Sequence, residues 1–350
     1  MLEENDEPVE VELLDVKHSR AVDRFVLAHP RGTPFHETRW LDLVRSSSDF
    51  ESRTLVAWSV DEIRGVLPLA LCAAPITGRR LVSVPYGVYG GILAKDATSI
   101  GALDEAAGML ARQLHVRYLE TRYLGDPATG HPSVSQYVTF RKELPDSPDD
   151  VLGMIPRKAR AEVRKARNKH NLGFEEGRHL LDGFYDLYCT NKRSLGSPVF
   201  RKSHFQRLMD LYGSRALLHG MVKGDELLAA VLSITSRDVV YAYYSGAAPQ
   251  AGRMGVNNAM YASLMEDSVA RGFKIFDFGR SRVGSGPASF KQHMGFEATP
   301  LHYQFYFPYG GRASTITPSN PKMKVPQLIL SKLPMWAARL VGPSLMRHVP

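Results

Sequence analysis

The residues whose types and spacing suit chemistry fall mostly between Val239 and Phe307. Arg253, Gly255 and Asn257 lie in Ala247-Ala-Pro-Gln-Ala-Gly-Arg-Met-Gly-Val-Asn-Asn258, where an aromatic strand pattern gives way to a helical one. A glycine turn feeding a helix, with an arginine beside it, suits phosphate. The first helical N–H groups have no acceptor of their own, and the helix dipole favours an anion. Asp277 is a lone carboxylate in the apolar strand Lys274-Ile-Phe-Asp-Phe-Gly279. Such a group serves as a proton acceptor, or only pairs with Arg280 or caps a loop. Arg280 and Arg282 open a glycine-rich loop that suits an anion. Upstream, Arg157, Arg160, Arg164 and Arg167 recur at three- and four-residue steps, with Lys158, Lys165 and Lys169 flanking them. On a helix they form one stripe. Arginine forks suit a diphosphate, a lipid-linked phosphate or an RNA backbone, and the alternative is a solvated helix face. No aromatics interleave the stripe, which weakens the nucleic-acid version.

These residues need elements to hold them. Val239 to Gly246 reads as a buried strand, and Met260, Leu264, Met265 and Val269 mark a helix from near Asn257 to Gly272. Pro287 fits a first helical turn, Gly295 a position just past a helix end, and His302 to Phe307 a closing strand. Arg215 to Lys223, a Gly224-Asp225 hairpin and Leu227 to Thr235 supply the strands before Val239. The same order occurs earlier. Thr54 to Val60, a turn at Asp61-Glu62, Ile63 to Leu71, Leu81 to Val84, a loop with Gly87, Gly90 and Gly91, a helix from Ile100 to His115 and a strand from Arg117 to Thr121 repeat it. Two copies of one α/β (α+β) module are expected, each a mixed, mostly antiparallel sheet flanked by helices. The expected organisation is an acidic disordered leader (1–10), an N-terminal module (11–147), a C-terminal module (148–312) and a basic apolar tail (313–350), with the boundary in Leu144-Pro-Asp-Ser-Pro-Asp-Asp150. The first copy's loop carries no arginine. Donor binding and chemistry are therefore assigned to the second copy, and a share of acceptor binding to the first.

Composition excludes several classes. Hydrophobic residues at 44% and charged residues at 23% of 350 are ordinary for a globular chain, and no apolar run could span a bilayer. The start lacks a basic n-region and an apolar h-region, so a cytoplasmic protein is expected. Cys72 and Cys189 sit in apolar company and read as core. The twelve histidines include no H-E-x-x-H and no zinc spacing, so no metal is expected; there is also no P-loop and no G-x-S-x-G elbow. Net charge is +8, and the first twelve residues hold six acids and no base, leaving +14 on the rest. Acidic partners follow. In the tail, Leu328-Ile-Leu330, Leu333, Met335-Trp336 and Leu340-Val341 alternate with Lys322, Lys324, Lys332, Arg339 and Arg347, broken by Pro326, Pro334 and Pro343. That reads as a segment lying in the inner-membrane interface or as a helical clasp, and the prolines favour the clasp.

Arg253-x-Gly255-x-Asn257 resembles the pyrophosphate loop of the GNAT acyltransferase superfamily. Asp277-Phe-Gly279, Gly286, Phe290-Lys291 and Gly295-Phe296 resemble its FemAB-like branch. Within that branch the chain is most similar to FemAB-related proteins associated with exosortase (PEP-CTERM) and exopolysaccharide systems. The resemblance implies tandem GNAT-like modules and an N-acyltransferase moving an acyl or aminoacyl group to an amine of a cell-envelope or exopolysaccharide precursor. It places donor phosphates at Arg253, Gly255 and Asn257, and a carbonyl-polarising N–H near Ser245 or Gly246. Proton acceptance falls to Asp277 or Tyr303, with Tyr243 a weaker choice, and donor contact or charge stabilisation to Lys291. Arg157, Arg160, Arg164, Arg280 and Arg282 are expected to meet an anionic small-molecule or lipid-linked glycan acceptor. The donor is acyl-CoA or aminoacyl-tRNA. The two-helix arm of the peptidoglycan-branching Fem enzymes is missing, which weighs against tRNA. The alternatives are a Fem-type aminoacyl-tRNA-dependent peptidyltransferase and a catalytically silent protein binding RNA or an anionic glycolipid.

Overall fold

The computed structural model of the protein describes residues 8–74, 78–311 and 324–350. Most of the expected acidic leader and the tail residues 313–323 lie outside the described residues. The chain begins with β1 (Glu10–Leu13), α1 (Ser19–Ala28), α2 (Thr38–Ser47), β2 (Glu51–Ser52), β3 (Leu55–Ser59), β4 (Glu62–Leu67), β5 (Leu69–Ala74), β6 (Gly78–Ser83) and β7 (Leu93–Ala94). Next come α3 (Ala97–Gln113), β8 (Leu119–Tyr123), β9 (Ser133–Thr139), β10 (Arg141–Glu143), α4 (Val151–Met154), α5 (Arg157–His170), β11 (Gly173–Glu176), α6 (Leu181–Ser194) and α7 (Lys202–Tyr212). The last third holds β12 (Ala216–Lys223), β13 (Glu226–Ser236), β14 (Val239–Ala247), α8 (Val256–Ala270), β15 (Ile275–Asp277), β16 (Ser281–Arg282), α9 (Gly286–His293), β17 (Thr299–Tyr306), α10 (Lys324–Lys332) and α11 (Met335–Met346).

Two compact units result: unit 1 is residues 1–136, 300–321 and 344–350, and unit 2 is residues 137–299 and 322–343. The sequence places the boundary eleven residues later and gives β17 to the second module. Instead β17 pairs antiparallel with β8, Tyr303 opposite Arg122, and belongs to unit 1. Strand β10, which the sequence gives to the first module, belongs to unit 2, because Arg141–Glu143 pair with Asp277–Ile275.

In unit 1, β1-β3-β4-β7 form one antiparallel sheet, and β17-β8-β6-β5-β2 run side by side in another. Only β6 and β8 run parallel among these pairs, joined through α3. The expected long strand Ile63–Leu71 is two strands in different sheets, split at Pro68, whose missing N–H cannot continue a ladder. Leu55, Leu67, Leu81, Leu103 and Leu119 pack into its core.

Unit 2 is a six-stranded sheet in the order β10-β15-β14-β13-β12-β11, antiparallel except for β14 beside β15. Val163 and Ala166 of α5 and Met260 and Leu264 of α8 share a core with Val231 and Val240 of the sheet. A separate aromatic group joins Phe184 and Tyr188 of α6, Phe205 of α7 and Tyr244 of β14. A bulge in β14 separates the two. Leu232 faces Tyr244 but Ser233 faces Ala242, so Tyr243 is the extra residue of the bulge. The extra residue reverses the in-out alternation. Ala242 therefore packs in the α8 core, Tyr244 packs with α6 and α7, and Ser245 returns to the α8 side, where its side chain hydrogen-bonds Tyr261.

Candidate active site

Strands β14 and β15 pair over three residues only, Val239 with Ile275, Val240 with Phe276 and Tyr241 with Asp277. Then they fork. β14 continues to Ala247, while the other chain turns off at Gly279, which has φ +67°. The edge of β14 from Ala242 onward has no β15 partner. Strand alternation says which groups face it. Ala248 N–H donates to Leu228 O at 2.8 Å, and Gly246 sits two residues back, opposite Ala230. N–H groups two residues apart on a strand point the same way, so Gly246 donates toward β13, and Ser245 and Ala247 present theirs to the fork. Of the two residues expected to polarise a carbonyl, Ser245 is the one whose N–H points away from β13. Gly246 is glycine for another reason: a Cβ there would lie 2.5 Å from the backbone of Leu187 and Tyr188 in α6.

At the head of α8, Gly255 adopts φ +70°, and a Cβ on it would meet Glu162 O at 2.7 Å. Glycine is thus required both by backbone conformation and by the close passage of α5. No side chain caps this helix. Its first acceptor, Gly255 O, takes the N–H of Ala259 at 3.0 Å, so the N–H groups of Val256, Asn257 and Asn258 precede the intrahelical ladder. Arg253 is exposed beside them, and its carbonyl accepts from Lys165 Nζ at 3.2 Å.

Asp277 stands at the root of the fork, fully buried. Its Oδ1 accepts the Gly279 N–H at 2.6 Å, and its Oδ2 lies 3.3 Å from Arg141 Nε. Its ion-pair partner is Arg141 of β10, where the sequence offers Arg280. Lys291 is buried too, and its ammonium donates to three carbonyls, Phe278 O at 2.7 Å, Gly279 O at 2.9 Å and Arg280 O at 3.4 Å. Burial pushes this lysine down to about 8, partly offset by Asp277 and reinforced by Arg280. Its three donors are all spent on the turn after β15, which leaves none for a donor substrate. Tyr303, the third expected catalytic residue, lies in unit 1 under the Arg122 guanidinium, 5.3 Å from its ring centre.

The arginine stripe divides. Arg160 folds back on its own helix start, donating to Ile155 O at 3.0 Å, and Arg167 makes a fork-to-fork pair with Glu266 at 3.0 and 2.6 Å. Arg160, expected on the acceptor, is thereby committed to the backbone, whereas Arg157 and Arg164 are exposed. Arg280 stacks on Tyr137 at 4.6 Å. Lys192 of α6 is close enough that Arg280 adds to the burial that lowers its pKa. Arg282 is exposed, its backbone paired with Tyr137 in the short β9–β16 ladder. Sequence reading missed Arg141, Tyr261 and the influence of Arg280 on Lys192. The alternation of Ser133-Val-Ser-Gln-Tyr-Val-Thr139 announces β9, the strand before Arg141, but nothing local pairs distant residues.

Among the described residues one group has metal-ligating types together: Glu176, His219 and Asp267. Arg271 lies 2.7 Å from Asp267 and also pairs with Glu176, so the carboxylates already hold a cation. The cluster reads as a charge network between β11, β12 and α8.

Residues 156–292 match the family described as acetyltransferase (GNAT) domain. No curated protein matches the chain in sequence. Its fold is similar to that of FemX, at TM-score 0.64 and 15% identity over 84% of this chain and 96% of that one. L-PGS from Bacillus licheniformis gives TM-score 0.56 and 15% identity over 95% and 98%. A tandem GNAT protein from the clavulanic acid biosynthesis pathway gives 0.55 and 13% over 87% and 100%. Residues 156–292, within unit 2, thus match the GNAT domain, and the fold of the chain as a whole is similar to that of FemX and of a tandem GNAT protein.

Proposed function

We propose that this chain is an N-acyltransferase that holds an acyl donor in the β14–β15 fork and transfers its acyl group to an amine of a cell-envelope or exopolysaccharide precursor. The observation that carries the reading is the open fork with an uncapped helix N-terminus at its head. The acyl-CoA diphosphate would lie on the Val256–Asn258 N–H groups beside Arg253, and the amide-bearing pantetheine arm would pair with the end of β14 at Ser245 to Ala247 as an added strand. That order sets the thioester carbonyl toward the Ser245 N–H, which stabilises the oxyanion of the tetrahedral intermediate. The attacking amine gives up its proton to solvent, and the intermediate collapses by breaking its C–S bond, so that coenzyme A leaves as the thiolate and is protonated to the free thiol by solvent as the amide forms. Asp277 and Lys291 are positioning residues: they fix the turn whose carbonyls and N–H groups line the fork root. Tyr303, in unit 1, has no step in this scheme. Lys192, lowered by burial and by the charge of Arg280, and Arg280 itself would suit an anionic acceptor, and a lipid-linked form of such an acceptor would bring the protein to the inner membrane face.

Titration calorimetry with coenzyme A and acetyl-CoA tests the donor. Saturable binding is expected, weakened about 100-fold by Arg253→Glu, which places a carboxylate against the diphosphate. One observation favours a second donor. Exposed Arg157 and Arg164 share α5 with Lys165, which touches the donor turn, and so extend its positive charge as a polyanion such as aminoacyl-tRNA requires. Absence of CoA binding, together with salt-sensitive binding of charged tRNA, would replace acyl-CoA by that donor.

A further inference from the structure

Helices α10 and α11 are fastened to unit 2 along one side. Gly196 packs so closely that a Cβ there would meet Gln327 O at 2.3 Å, and one on Gly342 would meet Val199 Cγ2 at 2.7 Å. Arg193 donates to Leu333 O at 3.0 Å, and Arg339 to Asp186 Oδ1 at 2.6 Å. Ala338 and Gly342, one turn apart, are buried. This is the clasp expected from the prolines, but it uses only half of each helix. Leu328, Ile329, Trp336 and Leu340 are 61%, 57%, 72% and 71% exposed. Trp336 and Leu340 are also one turn apart, and each is offset from the buried pair by two residues, more than half a turn. They form the opposite face.

Charge says what covers that face. Residues 313–350 contain no Asp or Glu and carry Lys322, Lys324, Lys332, Arg339 and Arg347. Lys332 is exposed between the two apolar groups. A second copy of a chain with net charge +8 would bring one acid-free basic tail against another. An anionic bilayer has the complementary charge. Trp settles at the headgroup level, aliphatic side chains enter the acyl boundary, and lysine reaches back to phosphate. No helix among the described residues is long and apolar enough to cross a membrane, so the contact lies in the interface plane.

We propose that the outer face of α10 and α11 docks on an anionic lipid surface, with Trp336, Leu340, Leu328 and Ile329 inserted and Lys332 on lipid phosphates. The inference deepens the membrane-face reading above but needs no substrate, so it stands or falls apart from acyl transfer. Cosedimentation of the full chain with phosphatidylcholine vesicles, with and without phosphatidylglycerol, tests it. Binding is expected only with phosphatidylglycerol. The double variant Trp336→Glu, Leu340→Glu should lose about tenfold or more in vesicle affinity, with melting unchanged because both positions are exposed. Lys332→Glu should lose less, and high salt should erase that difference. No wild-type sedimentation, or equal affinity in the double variant, would overturn the proposal. So would a lipid-free wild-type dimer that the double variant turns monomeric, since a second copy would then cover the face.

Discussion

Both units build a parallel strand pair joined through a helix, and they finish it in opposite ways. In unit 1 the protein fills its own fork. Arg122 donates to Val84 O at 3.3 Å and Gly87 O at 2.9 Å and pairs with Glu120 at 2.8 Å. Gly90 N–H returns to Arg122 O at 2.8 Å, and Gly91 presses so close to the Tyr123 ring that a Cβ would lie 2.3 Å from it. Helix α3 is sealed by Asp96, which accepts the Ser99 N–H at 2.6 Å and pairs with Arg64 at 3.0 Å. In unit 2 the corresponding helix starts at an uncapped glycine, and the β14–β15 ladder stops at Tyr241. A carboxylate at the first turn repels phosphate, whereas bare N–H groups attract it. The same layout therefore gives a scaffold where side chains satisfy the backbone and a site where they do not.

The strongest way to break this contrast is to close the open copy. Gly255→Val forces a β-branched residue to φ near +70° against Glu162 O, a strain of about 2 kcal/mol or more that displaces the turn. Donor affinity should fall about 100-fold or more by calorimetry. The matching change in unit 1, Asp96→Ala, removes a cap and an ion-pair partner. It should cost about 2 kcal/mol in denaturant unfolding while donor affinity stays unchanged. If Asp96→Ala weakened donor binding as much as Gly255→Val, the two copies could not have the separate roles drawn here.

Much of this contrast was legible in the sequence, and the part that was not has a physical cause. The repeat, the α8 helix, the glycine turn and the basic stripe follow from local periodicity and backbone chemistry. The fork root does not. Asp277 meets Arg141, 136 positions earlier, through strand register, and no local pattern encodes register between distant strands. Arg280 was the sequence-near partner, yet Gly279 with its positive φ turns the chain away and sends that guanidinium to Tyr137. Lys291 carries a family motif, but only its three carbonyl contacts reveal a role in the turn. The capping of α3 by Asp96 was missed because the expected helix began at Ile100, three residues inside the real start at Ala97.

The two units should behave alike under acid. Burial pushes His36 in unit 1 down to about 4 and His204 in unit 2 down to about 3. Both are neutral in the fold, and both take a proton near pH 6.5 once unfolded. Their contribution to stability is complete above pH 6.5 and falls as pH drops, by about 1.4 kcal/mol per unit for each histidine, until the folded values are reached. Between pH 7 and pH 5 each should cost about 2 kcal/mol in urea unfolding. His204→Gln keeps a partner for the Tyr244 hydroxyl and should remove one histidine's share of that loss. An unchanged slope would mean that His204 is not held neutral.

The smallest expected effect tests the chemistry of the open copy most directly. Ser245 offers the fork two groups, a backbone N–H and a hydroxyl, and the hydroxyl is already bonded to Tyr261. Ser245→Ala leaves the N–H in place and strands one buried phenol, at about 1 kcal/mol of stability. Turnover should then stay within about threefold of wild type, because the oxyanion meets only the N–H. Ser245→Pro deletes that N–H without removing a ladder bond, since it points away from β13, and should cost about 100-fold in turnover with donor affinity retained. The opposite ranking, with alanine severe and proline mild, would make the hydroxyl the reacting group and Tyr261 its partner in proton transfer.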